Sequence, residues 1–268
     1  MSVTDEAPAR CDVRTTTTAP PLPFAATPRL ELSVGAAVSR YLDPASALPG
    51  TSIHYAVKAN PHPVLLRALA LAGCHLDGAG PAEWPAALAA GARAAHLVRH
   101  RPGARRDHLR EAHDLGVRLF VLDSPGEVAK LADAAPGASV LVRIVTSGSG
   151  SDWPLSRKYG CSVEDAVALL LDAAHLGLDP AGVSFHVGSQ QRDPQAWGPP
   201  IRSAARVFEA VRAHGIRPWL LDLGGGFPAA LEGGEVPSVS EFGAAIETHL
   251  ADAFGDDPPR TLVEPGRG

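Results

Sequence analysis

Lysine is scarce in this sequence. Of 24 basic residues only Lys58, Lys130 and Lys158 are lysines, so each one invites a reason for its presence. Cysteine is scarce too. Cys11, Cys74 and Cys161 are odd in number and widely spaced, with no CxxC or CxxH arrangement, which excludes a sequence-local zinc site and a disulfide framework and leaves ordinary reduced thiols. A positive charge excess is missing: the formal net charge is −5 and the pI about 6.1, so no broad field draws the chain to nucleic acid, and a small-molecule partner is the better expectation. Long apolar runs are missing as well. Stretches such as ALAAGARAAHLV are broken by charge and glycine and are too short to span a bilayer, and the N-terminus has neither a basic region nor an apolar one to act as a signal. These absences point to a cytoplasmic chain with no membrane contact and no metal.

What is present is apolar and periodic. The 45% hydrophobic content supports one sizeable core. Residues 1–28, rich in Thr, Pro and Ala and without periodicity, read as a flexible tail, and 29–268 as one folded domain. A helical segment at Leu30–Leu42 is followed by alternating short apolar runs and amphipathic runs. The strands expected are Ser52–Val57, Cys74–Asp77, Ala95–Val98, Arg118–Leu122, Ser139–Val145, Gly182–Val187, Trp219–Leu223 and Thr261–Glu264. Between them fall helices at Pro63–Leu71, Ala82–Ala90, Arg106–Leu115, Gly126–Ala134, Val163–Leu176, Ala196–His214 and Val239–Phe254. This alternation fits a parallel (β/α)8 barrel, with a doubly wound open sheet as the alternative. Both architectures bind ligands at the carboxyl ends of their strands.

The chemically unusual residues fall at those ends. Lys58 follows the first strand in HYAVKANP, and burial there would disfavour its ammonium form and leave an amine suited to an aldehyde cofactor. The segment LDLGGGFP after the seventh strand sets Gly224, Gly225 and Gly226 where backbone N–H groups can surround a phosphate, although a tight turn explains three glycines equally well. VEPGR at the last strand places the Glu264 carboxylate, Gly266 and the Arg267 guanidinium at the same mouth; a carboxylate there can keep a pyridine nitrogen protonated, and the guanidinium can meet phosphate. His186 closes the sixth strand, with Ser189 three residues on. Asp77 and Glu83, at and just after the second strand, read in isolation as an ordinary turn acid and first-turn helix acid.

Taken together, YAVKAN, LDGAGPAE, PLSRKYG, SFHVGSQ, LDLGGGFP and VEPGR stand in the order and spacing of the fold-type III pyridoxal-phosphate decarboxylases, and the chain most resembles their bacterial ornithine/lysine branch across residues 28–268. The resemblance implies a barrel of the alanine racemase/ornithine decarboxylase type. It implies that Lys58 carries pyridoxal 5'-phosphate, His186 stacks on its ring, Glu264 pairs with the ring nitrogen, Ser189, Gly226 and Arg267 hold the phosphate, and Asp77 and Glu83 support the lysine and cofactor. The implied activity is decarboxylation of ornithine or lysine to a diamine, a step of polyamine biosynthesis. The alternatives are a non-catalytic pyridoxal-phosphate-binding regulator, a diaminopimelate decarboxylase and a racemase-like enzyme.

Two local sequences depart from the family pattern: Pro154 stands where some relatives carry arginine, and RHRP at 99–102 replaces the usual Asn-containing turn. Relatives also continue past VEPGR into a β-domain that supplies active-site residues across a homodimer. The expectation is therefore a barrel without its C-terminal β-domain, working as a homodimer or with a chain that supplies it.

Overall fold

The computed structural model describes residues 32–230 and 235–266. The tail expected at 1–28 and the role expected of Arg267 lie outside the described residues. Within the unit from Ser33 onward, eight parallel strands close into a barrel. In chain order they are β1 (Thr51–Ala56), β2 (His75–Asp77), β3 (Val98–Arg99), β4 (Leu119–Leu122), β5 (Ser139–Arg143), β7 (Asp179–Ser184), β9 (Leu220–Asp222) and β10 (Arg260–Val263). Neighbours follow chain order around the ring, and β1 pairs with β10 to close it, Ile53 opposite Val263. The closed ring excludes the open sheet.

Two further strands, β6 (Ser151–Trp153) and β8 (Ser189–Gln191), pair antiparallel outside the barrel. Both are short and polar, so no apolar run announces them. Around the ring lie α1 (Val34–Ala47), α2 (Pro63–Leu71), α3 (Glu83–Ala89), α4 (Arg106–Asp114), α5 (Pro125–Ala134), α6 (Val163–His175), α7 (Gly198–Arg212) and α8 (Val239–Phe254). Their starts are legible in local chemistry. Pro63 and Pro125 open α2 and α5 at positions where a missing N–H costs nothing, and Ser238 and Glu241 form a reciprocal capping box at α8. Among the described residues no helix is long and apolar enough to cross a membrane.

Strand alternation sorts the core into two layers. Phe120, Leu122, Val140, Val142 and Val263 face outward and pack with Leu66, Leu131, Leu170 and Ile246 of the helices. Their sequence neighbours Val121, Leu141 and Leu262 turn inward and meet Val98, Ala181 and Leu220. That inner layer plugs the barrel across its middle, and the same period of two decides what lies above it. Two residues after Val98, Leu220 and Leu262 come His100, Asp222 and Glu264.

Several expected boundaries shift: a 3-10 turn at Ala94–His96 occupies most of the third strand expected at Ala95–Val98 and leaves Val98–Arg99, and the first helix runs over Val34–Ala47 rather than Leu30–Leu42. The sixth barrel strand runs from Asp179 to Ser184 rather than from 182 to 187, with a register irregularity at Val140/Leu141 opposite Gly182. His186 therefore stands two residues beyond the strand. Glu264 likewise stands one residue past β10, its N–H bonded to the Gly224 carbonyl.

Candidate functional site

The mouth formed by the strand ends contains a cavity of about 450 Å³. Lys58, His186, Ser189, Gly226, Glu264 and Gly266 line it, as do Ala56, Ala59, Gln190 and Phe227. Six residues singled out in the sequence, drawn from distant parts of the chain, thus share one concave site.

Lys58 reaches this cavity differently from the expectation. The chain leaves β1 after Ala56 and makes a single 3-10 turn over Val57–Ala59, which lifts Lys58 above the rim and leaves its side chain exposed. The apolar strand holds Val57, not Lys58, in the core. Desolvation of the lysine is accordingly not what prepares its amine in this structure.

His186 is partly buried, and its Nδ1 accepts a hydrogen bond of 3.0 Å from the Gly188 N–H. Burial, and then the positive charge of Arg143, push this imidazole down to about 4, so it is neutral near pH 7. A neutral ring fixed by its own loop is suited to lie flat against another ring.

The three glycines divide their duties. Gly224 and Gly226 have φ of 67° and 116°, and a Cβ at either would collide with a backbone carbonyl, that of Phe185 or of Gly188. The Gly224 N–H is given to Asp222 Oδ1 at 2.8 Å, so this amide serves the turn. Gly226 lines the cavity; Gly224 and Gly225 do not. At Gly266 a Cβ would stand 3.1 and 3.2 Å from the Cβ atoms of Ala56 and Ala59, which keeps that wall thin.

Beneath the cavity lies a cluster that the sequence did not reveal. His100, 4% exposed, places Nδ1 2.9 Å from Glu264 Oε1 and 3.0 Å from Asp77 Oδ1, and Nε2 3.6 Å from Asp222 Oδ2. Burial opposes a charge on His100, but the charges of Glu264, Asp77 and Asp222 outweigh it and raise the imidazole well above its usual range. Burial also opposes ionisation of Glu264, and His100 reverses this, pulling the carboxyl below the usual carboxylate range. Asp222, fully buried beside Glu264, moves the opposite way: burial and the Glu264 charge raise it, while it accepts from Ser184 Oγ at 2.7 Å. The neighbouring carboxyls thus split into one ionised and one neutral. Glu83 lies at the start of α3 with Oε2 accepting from the Ala79 N–H at 2.8 Å; it bounds the lysine side rather than lining the cavity.

The donor set fits a pyridoxal phosphate. An amine at the rim, a hydroxyl at Ser189 and two glycine-thinned walls surround the space, and Glu264 presents an ionised carboxylate at its floor. One imidazolium against the carboxylates of Asp77 and Glu264 leaves a negative charge that a protonated ring nitrogen would balance.

Residues 34–268 match the family model described as "Pyridoxal-dependent decarboxylase, pyridoxal binding domain". The chain is 35% identical over 241 residues to a lysine/ornithine decarboxylase of Selenomonas ruminantium, covering 90% of this chain and 61% of that protein. A crystal structure described as SrLDC in complex with PLP and cadaverine superposes with a TM-score of 0.79 at 33% identity, covering 87% of this chain and 58% of that one. The arginine decarboxylase of Paramecium bursaria Chlorella virus gives 0.79 at 29% identity, over 86% of this chain and 62% of that one. The chain spans 61% of the first of its curated relatives and 32% of the ornithine decarboxylase of Leishmania donovani.

Proposed function

The chain belongs to the pyridoxal-dependent decarboxylases, as their pyridoxal-binding domain, and from that premise we propose that it serves the decarboxylation of a basic L-amino acid, ornithine or lysine, to the diamine. The observation that carries this reading is the convergence of Lys58, His186, Ser189 and Glu264 on one cavity at the barrel mouth.

Bound there, pyridoxal phosphate supplies an aldehyde carbon for an amine and a ring that takes up the electron pair left when carbon dioxide departs. Lys58, exposed at the rim, would hold the cofactor by presenting its amine to that aldehyde. Glu264, held ionised, would accept the N–H of the ring. His186, neutral, covers the ring face, and Ser189, Gly226 and Gly266 hold the phosphate end with Arg267. Asp77 lies beneath the floor of the cavity, and Glu83 braces the turn beside Lys58.

Neither cysteine of the described residues supplies the proton that replaces the carboxylate. Neither Cys74 nor Cys161 lines the cavity, and burial pushes both thiols up to about 12, too weak for a proton donor near pH 7. A complementary chain, a second copy or a partner, closes the mouth over the substrate and donates this proton.

The test is release of carbon dioxide from L-ornithine and L-lysine by the chain alone, and by the chain mixed with a full-length relative carrying an inactivated lysine. The expected result is release that grows on mixing. Racemisation without release, or cofactor capture with no release under either condition, contradicts the assignment.

A further inference from the structure

The cluster under the cavity holds a residue with no assigned part in the chemistry. His100 belongs to RHRP, the segment that departs from the family pattern, and it is the cation among three inward-facing acids. Asp77 reaches it from β2, Asp222 from β9 and Glu264 from beyond β10. From β1 the ring of His54 stands edge-on at 6.3 Å between centroids. His54 is itself neutral: burial, and then the charge of His100, push its imidazole well below its usual range.

We propose that His100 is a positioning residue for the cofactor: standing 2.9 Å from Glu264 Oε1 beneath the cavity, its ring fixes the carboxylate that faces the ring nitrogen. The proposal rests on the reading of Glu264 given above. Its physical basis is crowding. Without a cation, Asp77, Asp222 and Glu264 would be packed in a space from which water is nearly excluded, where like charges cannot all persist. Asp222 is already neutralised beside Glu264. With the imidazolium removed, Glu264 is the next to take up a proton, and a protonated carboxyl no longer accepts the ring N–H.

Atoms of Asp77, His100 and Glu264 lie within 4.8 Å of one another, a spacing a metal ion could use. The imidazole Nδ1 sits between the two carboxylates at 2.9 and 3.0 Å, the separations of an ion pair, while Nδ1, Nε2 and Asp77 Oδ1 make no hydrogen bond in this geometry.

Below the cluster runs a column of imidazoles. His54 Nε2 is 3.3 Å from His75 Nδ1, and the rings of His75 and His96 lie 4.4 Å apart. His75 and His96 are half-buried at the amino-terminal end of the barrel. Of this column only His54 stands near His100, edge-on at 6.3 Å between ring centroids.

The experiment follows the two partners directly. In the full chain, 15N spectra of the histidine side chains report the charge on His100, and 13C spectra of labelled glutamate carboxyls, assigned through Glu264→Gln, report Glu264. The expected result is an imidazolium at His100 that persists above the ordinary histidine value of about 6.5, and a Glu264 carboxylate whose titration rises by about one unit or more, a tenfold change in proton affinity, in His100→Gln. With ring-15N pyridoxal phosphate bound, His100→Gln shifts the ring nitrogen resonance while borohydride still fixes the cofactor to Lys58. A neutral His100 at about pH 6 in the unsubstituted protein, or a Glu264 titration unmoved in His100→Gln, overturns the proposal. Failure of the unsubstituted protein to fix any cofactor on Lys58 overturns the proposed function instead, and the Glu264 titration still decides the part played by His100.

Discussion

The two sides of the barrel interior are built on opposite principles. On the side of β4, β5 and β7 the inward residues are Val121, Leu141 and Ala181, packed into one apolar layer. On the side of β1, β2 and β3 the inward positions include His54, His75, Asp77 and His100. Apolar filling stabilises a barrel by burial alone, whereas a buried charge is tolerated only with a partner at ion-pair distance. A fold that needed only to be stable would fill both sides with Val, Ile and Leu. The polar side therefore marks where the molecule gives up easy packing for chemistry.

This contrast can be broken at either end. Asp77→Ala removes a partner of a buried imidazolium and is expected to cost on the order of 3–5 kcal/mol. His100 is raised in the folded state, so its favourable contribution is complete below the unfolded value of about 6.5 and fades as pH rises through the folded one. The Asp77→Ala penalty should accordingly be full at about pH 6 and shrink as pH rises towards alkali, as urea unfolding at several pH values would record. Leu141→Ala, on the apolar side, opens a cavity worth about 3 kcal/mol. Its cost should not change across the same pH range and should leave cofactor capture intact.

His186 sharpens the comparison from the acid side. Its imidazole is lowered to about 4 by burial and by Arg143, so the unfolded chain binds its proton first as pH falls. Stability should be complete above about pH 6.5 and decline towards pH 4. At about 1.4 kcal/mol per unit the loss reaches ~3 kcal/mol. His186→Gln, followed by thermal unfolding through this window, should remove that slope.

Much of this was legible in the sequence because the barrel repeats one physical signal. Val-, Leu- and Phe-rich runs alternating with amphipathic segments gave all eight barrel strands and the helices between them, with ends displaced by a few residues where a 3-10 turn or a register irregularity intervenes. The short polar pair β6 and β8 carries no such signal. Lys58, His186, Ser189 and Glu264 were found because they close strands or follow them. Two features escaped. The exposure of Lys58 depends on a 3-10 turn that no local pattern dictates. His100 and Asp222 acquire meaning only when β3, β9 and β10 are brought side by side, although the period of two from Val98, Leu220 and Leu262 does place both inward.

The measurement that bears most directly on the central claim is borohydride reduction of the chain incubated with pyridoxal phosphate, followed by mass analysis of its peptides. With three lysines in the sequence the readout is unambiguous. The account predicts a phosphopyridoxyl adduct on Lys58, lost in Lys58→Ala and retained in Leu141→Ala. An adduct spread over Lys130 and Lys158, or no adduct on a folded chain, would contradict it.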